Sequence, residues 1–210
     1  MAETNDTKAS RVWQGLQKRV FAAAAKDIYQ AFLSEQPGME NVLLQYIKGI
    51  FANGDISKDF SRSEVLYVAE TNRKVHREKH RIEAFVRFRQ TADDLYYATV
   101  EPDFNVLPLI TTHFEKRYAD QLWLIYDMAR NYGIYYDLHS VSVVEVGFKQ
   151  LLSKARNTDG LLNVLNGQEK EYERLWQNYF RSVNIASRKN PKLHRQHMPL
   201  HYWKYLTEKH

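Results

Sequence analysis

Four carboxylates, Glu101, Asp103, Asp127 and Asp137, fall at or near the ends of stretches with strand-like alternation, and His113 and Arg117 lie on a helical stretch between them. Carboxylates grouped with an imidazole can move protons or hold a hard cation. Acids at strand ends also cap turns, and spacing alone does not choose between the two roles. Glu101, Asp103, His113 and Asp127 are the candidate catalytic centre of an enzyme acting on nucleic acid or a nucleotide. His76 and His80 have the i, i+4 spacing that lets two imidazoles share a metal. A zinc-protease motif needs glutamate directly after the first histidine, and here that place is Arg77. His194, His197 and His201 would align on a helix, but Pro199 interrupts it. Glycine-rich phosphate loops, a serine nucleophile elbow and a dinucleotide fingerprint are absent. The chain has no cysteine, which excludes disulfides, thiol nucleophiles and cysteine-ligated metals. No metal site and no cofactor are expected.

A second group of residues suits a polyanion. Arg73, Arg77 and Arg81 stand four apart with His76 and His80 beside them, giving one cationic helix face. Arg87 and Arg89 alternate with apolar residues, so on a strand they would share a face with Phe85. Residues 181–210 hold seven basic side chains against the single acid Glu208, a surplus of six where the whole chain carries +5. The positive charge is therefore local. Arg188, Lys189, Lys192, Arg195 and Lys204 are interleaved there with Tyr202, Trp203 and Tyr205. Cations hold a phosphate backbone while flat rings stack on bases, so all three segments are candidate nucleic-acid contacts, with Tyr202 and Trp203 as stacking rings. Two plainer readings stand beside this one. The arginines could pair with Glu78, Glu83 or Glu101, and the tail could be a solvated helix end.

The elements that would position these residues follow from periodicity. Val12, Leu16 and Val20 recur at helix spacing, and 22–33 continues it with Ile28, Ala31 and Phe32 on one side. Pro37-Gly38 breaks the chain before a helix over 39–51 with Val42, Leu43, Tyr46, Ile47 and Ile50 as its apolar stripe, which Asn53-Gly54 stops. Ser61-Arg62-Ser63-Glu64 matches a capping box and predicts a helix from about 63 to 81. Period-two alternation predicts a strand from Ala84 through Phe88, a turn at 91–94 and a second strand at 95–100. A helix over 106–118 and strands at 122–128, 132–137 and 141–146 follow, the last three joined by hairpin-length turns. A loop at 157–160 and a helix over 169–186 lead into the basic tail. Trp123, Tyr135, Tyr136 and Trp176 read as core. The fold expected is α+β, with a helical first third (1–83), an antiparallel sheet in β-β-α-β-β-β order (84–150) and a C-terminal helix with basic tail (151–210), all in one compact domain.

The runs Phe85-Val86-Arg87-Phe88, Glu101-Pro102-Asp103, Val106-Leu107-Pro108-Leu109, His113-Phe114 and Tyr135-Tyr136-Asp137 resemble a bacterial family built on a domain of unknown function. Arg188-Lys189-Asn190-Pro191-Lys192-Leu193, Met198-Pro199 and Tyr202-Trp203-Lys204-Tyr205-Leu206 are similar to that family's C-terminus. Its members carry the name DNA metabolism protein. Some are fused to a uracil-DNA glycosylase domain, and many are encoded beside a radical SAM DNA-repair protein. The resemblance runs from about Arg11 to the end. It implies a context rather than a reaction: DNA rather than RNA as the nucleic acid, a radical SAM repair protein as a partner, and a separate uracil-DNA glycosylase, since none follows His210. Two departures stand out. Longer members carry a segment before the position matching Arg11, and Leu200-His201 stands where the family tends to be basic.

The expected function is thus a nucleic-acid-binding accessory protein in DNA metabolism, with the enzyme reading and an adaptor reading, in which the tail docks the radical SAM protein, as alternatives. The start lacks a signal-peptide run and no stretch approaches a membrane span, so a cytoplasmic location is expected. Elemental analysis of the purified protein is expected to find no stoichiometric zinc, because the histidine pairs lack a completed ligand set and sit among cations. One zinc per chain would overturn that and promote the enzyme reading.

Overall fold

The computed structural model describes residues 5–20, 22–90, 95–145, 195 and 198–206, which hold five α-helices and five β-strands. The expected turn at 91–94, loop at 157–160 and helix over 169–186, with Trp176, lie outside the described residues. The chain divides into two compact units, Met1–Glu78 with Phe104–Val106, and Lys79–Asp103 with Leu107–His210.

The first unit is helical. Helices α1 (Asp6–Gln17), α2 (Ala22–Phe32) and α3 (Met39–Asn53) pack around Leu16, Ala24, Ile28, Ala31, Met39, Leu43, Tyr46 and Ile50. The apolar stripe read from spacing matches this core, except that Val12 (48%) and Phe32 are exposed. Phe32 is 58% exposed, because it lies a further 100° round the helix from the buried Ala31. Gly38 (φ 84°) and Gly54 (φ 79°) bound α3 in left-handed backbone that costs glycine little, which is why the two breakers act where they do. Helix α4 (Ser63–Phe85) follows. Its first helical bond is accepted by the Arg62 carbonyl from Leu66 N–H, while the Ser61 hydroxyl donates to Asp59. The cap therefore sits one residue later than the capping box implied.

Helix α4 also ends later than its sequence suggests. Val65, Val68, Val75 and Ile82 form one buried face at helical spacing, and that face carries the helix past Arg81. Arg87 Nη1 then donates to the Ala84 and Val86 carbonyls (2.9 and 3.2 Å), taking up acceptors that a helix end leaves unmet. The expected strand over Ala84–Phe88 is accordingly corrected: Phe85 is helical, and β1 is only Arg89–Gln90.

In the second unit the sheet runs in the order β1-β2-β3-β4-β5, with β2 at Tyr96–Val100, β3 at Trp123–Asp127, β4 at Tyr132–Tyr136 and β5 at Val141–Val144. The α+β class and the element order stand as expected. The pairing differs in one place. Strands β2 and β3 are parallel, Tyr96 facing Trp123 and Val100 facing Asp127, so the sheet is mixed. Helix α5 (Leu107–Arg117) lies between those strands in sequence, and a parallel pair needs such a crossover where a hairpin needs only a turn. The β3–β4 and β4–β5 pairs are antiparallel, as their short connections predicted. The core is aromatic: Phe114 stacks on Tyr118, Trp123 stacks on Tyr136, and Phe88 meets Phe114 and Tyr118 edge-on.

Strand β3 sits at the middle of the sheet, and Ile125 is fully buried there. Ile125→Ala should lower unfolding free energy by about 3 kcal/mol, through lost burial and the cavity left behind. Val143 on the edge strand is 65% exposed, so Val143→Ala should stay within about 0.5 kcal/mol of the parent. Chemical denaturation of both variants checks the difference.

Candidate functional site

The four candidate catalytic groups take up different roles. Asp127 closes the β3–β4 turn: it is fully buried, its Oδ1 accepts from Ala129 and Arg130 N–H (2.9 and 3.1 Å), and its Oδ2 pairs with Arg130 Nη1 at 3.0 Å. A buried carboxylate is tolerable only when supplied with donors in this way. Arg130 also donates to the Pro102 and Asp103 carbonyls, so Asp103 meets Asp127 through a shared guanidinium. Glu101 turns to the tail instead. His113 lines a separate cleft with Glu83. Asp137 caps the β4–β5 turn, accepting from His139 and Ser140 N–H (2.9 and 2.7 Å), and these backbone donors, Ser140 foremost, hold its carboxyl below the usual range.

The described end of the tail is fixed on the sheet of the second unit. Residues Leu200–Tyr205 form a 3-10 turn that packs on β2. Leu206 and Tyr202 are buried, the Tyr202 ring lying 5.9 Å from Phe85. Tyr202 is thus an anchor, which corrects its assignment as a ring for stacking on bases. Trp203 is half-buried and donates its Nε1–H to the Met198 carbonyl at 3.1 Å. Glu101 holds the other side of the turn, accepting from Lys204 Nζ and, at 2.8 Å, from the Tyr205 hydroxyl. The hydrogen bond to Glu101 raises the Lys204 pKa, and burial, followed by the same carboxylate, raises that of Tyr205.

This docking brings together residues far apart in the chain. Arg87, Arg89 and Lys204 line one small cleft of about 150 Å3 with Tyr97, Ala98, Thr99 and Tyr205. Strand register explains the placement, since Arg89 pairs across to Tyr97. Arg87 also borders a second, larger cleft of about 780 Å3, lined by Phe88, Tyr96, Phe114 and Tyr118 together with Glu83 and His113. Glu83 is held there by Lys79 Nζ at 2.6 Å and lies 3.2 Å from His80 Nδ1 and 3.8 Å from His113 Nδ1. The Lys79 and His80 spacings to Glu83, four and three on one helix, were visible in the sequence. The arrival of His113 from α5 was not.

Of the remaining cationic candidates, Arg73 and Arg77 are exposed on α4, Arg81 is half-buried and Arg195 is exposed. Arg188, Lys189 and Lys192, with His194 and His197, lie outside the described residues. Glu78, offered as an arginine partner, is buried at 1% exposure. Among the described residues no group of three or more histidine, aspartate or glutamate side chains could hold a metal ion. No helix among them is long and apolar enough to cross a membrane.

The fold and the clefts define an α+β domain with a ligand-sized site beside a cationic one. Residues 37–208 match the family of DUF4130, a domain of unknown function, and the chain belongs to that family. No curated protein and no solved structure matches it.

The Glu101 tie has a pH signature. Lys204 and Tyr205 both have raised pKa values in the folded protein, so their stabilising contribution is fully present below their ordinary values of 10.5 and 10.0 and is lost as pH rises through the raised ones. Glu101→Gln should cost about 1 kcal/mol at pH 7, since a partly exposed charge-assisted bond is weakened. The gap between parent and variant should close as pH rises from 7 into alkali through the raised values, where Lys204 loses its charge and the Tyr205 hydroxyl its proton. Urea unfolding at pH 7 and in alkali checks this, and a gap that persists in alkali contradicts it.

Proposed function

We propose that the protein is a nucleic-acid-binding accessory factor in DNA metabolism, gripping a phosphate backbone at the Arg87, Arg89 and Lys204 cleft. What supports the reading is the convergence of three cations, two beside β1 and one from the tail, on a single space of about 150 Å3. That is smaller than the roughly 300–1,000 Å3 of drug-sized sites and suits one phosphate group better than a whole nucleotide. Guanidinium groups match phosphate oxygens in geometry as well as charge. Glu101 offsets part of the Lys204 charge. Arg73 and Arg77 of the first unit are exposed and are proposed as contacts in their own right.

The resemblance of the chain to DNA metabolism proteins favours DNA over RNA. The same resemblance makes a radical SAM DNA-repair protein and a separate uracil-DNA glycosylase its proposed partners, and a cytoplasmic location fits that setting. The enzyme reading centred on Glu101, Asp103, His113 and Asp127 is less well supported, because Asp127 is spent on a turn and Glu101 on the tail.

With about three phosphate contacts the logarithm of affinity should fall against the logarithm of salt with a slope of about −2 on a single strand, a loss of roughly twentyfold between 50 and 200 mM. Arg89→Glu should weaken binding by about tenfold or more and make the slope shallower. Fluorescence anisotropy with a labelled oligonucleotide measures both. Binding that is absent at low salt, or indifferent to Arg89→Glu, would sink the reading.

A further inference from the structure

We propose that the larger cleft receives one unstacked base of a bound single strand, an inference that rests on the phosphate-binding reading above. Arg87 lines both clefts, so the two spaces adjoin at one side chain, and a strand held by its phosphate at Arg87, Arg89 and Lys204 would offer its neighbouring base to the larger one. The Arg87 position is set by its two bonds to the end of α4 and does not have to be found on binding.

The chemistry of the cleft suits a base. Its volume of about 780 Å3 is that of a ligand site, and rings of Phe88, Tyr96 and Tyr118 stand at intermediate exposure around the buried Phe114. Aromatic faces accept any base, which makes such a site tolerant of sequence. The polar groups can meet the base edge: the Gln121 amide offers both donors and acceptors, and the Glu83 carboxylate is an acceptor fixed by Lys79, His80 and His113. Arg117 lies against the Tyr118 ring, its guanidinium carbon 5.7 Å from the centroid, and adds a second cation to the rim. A base inside a duplex must first be unpaired and unstacked, so single strands are the preferred ligand.

The test compares a labelled dodecathymidylate with an abasic strand of equal length and charge. The parent protein should bind the thymidylate about tenfold tighter, the gain from one stacked base. Ala84 is exposed on the last turn of α4 and lines the cleft, so Ala84→Trp fills it without removing a cation. That variant should bind both strands alike, at the parent's affinity for the abasic one, and Arg89→Glu should weaken both. Equal binding of the two strands by the parent, with Arg89→Glu still weakening each, overturns the base cleft and leaves the phosphate cleft standing. Failure of the parent to bind either strand at low salt rejects both. Thymidine monophosphate displacing the strand at concentrations close to the strand's own would overturn the single-strand assignment in favour of a free nucleotide. The parent comparison needs no variant, so a misfolded Ala84→Trp protein leaves the proposal open to refutation.

Discussion

Glu101 carries more of this architecture than its place after a strand suggests. It follows β2 and accepts from both Lys204 and Tyr205, more than a hundred residues along the chain. Without that tie the lysine would lose its carboxylate partner. With it, the lysine is delivered to the two arginines beside β1. The buried Tyr202 and Leu206 do the rest, because a charge pair with one partner half-exposed cannot fix a chain end unaided. Apolar burial supplies the affinity of tail for sheet, and the carboxylate sets its register.

The parallel β2–β3 pair sets the other side of the site. Helix α5 has to cross over for β3 to run beside β2 in the same direction, and in doing so it brings His113, Phe114 and Tyr118 to the cleft that Phe88 and Tyr96 border. A simple meander would leave those residues on a turn. The same crossover places Val100 beside Asp127, so Arg130 reaches the Asp127 carboxylate at the end of one strand and the Pro102 and Asp103 backbone carbonyls after the other. These contacts serve turn closure.

Much of the fold was legible because its signals are local. Apolar spacing located α1 to α3, the two glycine breakers bounded α3, and hairpin-length links gave the antiparallel β3-β4-β5 run. The alternation at Ala84, Val86 and Phe88 misled, because helix and strand patterns overlap over so few residues and the buried face through Ile82 decides the outcome. A helix between two strands permits a parallel pair, but spacing does not say which strands become neighbours. For the site, the cations Arg87, Arg89 and Lys204 were named from charge alone, but their meeting is a tertiary fact. Glu83 as the neighbour of two histidines, and Tyr202 as an anchor, depend on packing that no spacing encodes.

The central claim is that nucleic acid lies on the surface made by β1, β2 and the docked tail. Hydrogen exchange with and without a single-stranded oligonucleotide at low salt tests it most directly. The account predicts slower exchange on binding in residues 86–90, 96–100 and 198–206, with little change in α1 to α3. Protection confined to the helical first unit, or unchanged exchange across the strands and tail at saturating oligonucleotide, would contradict it.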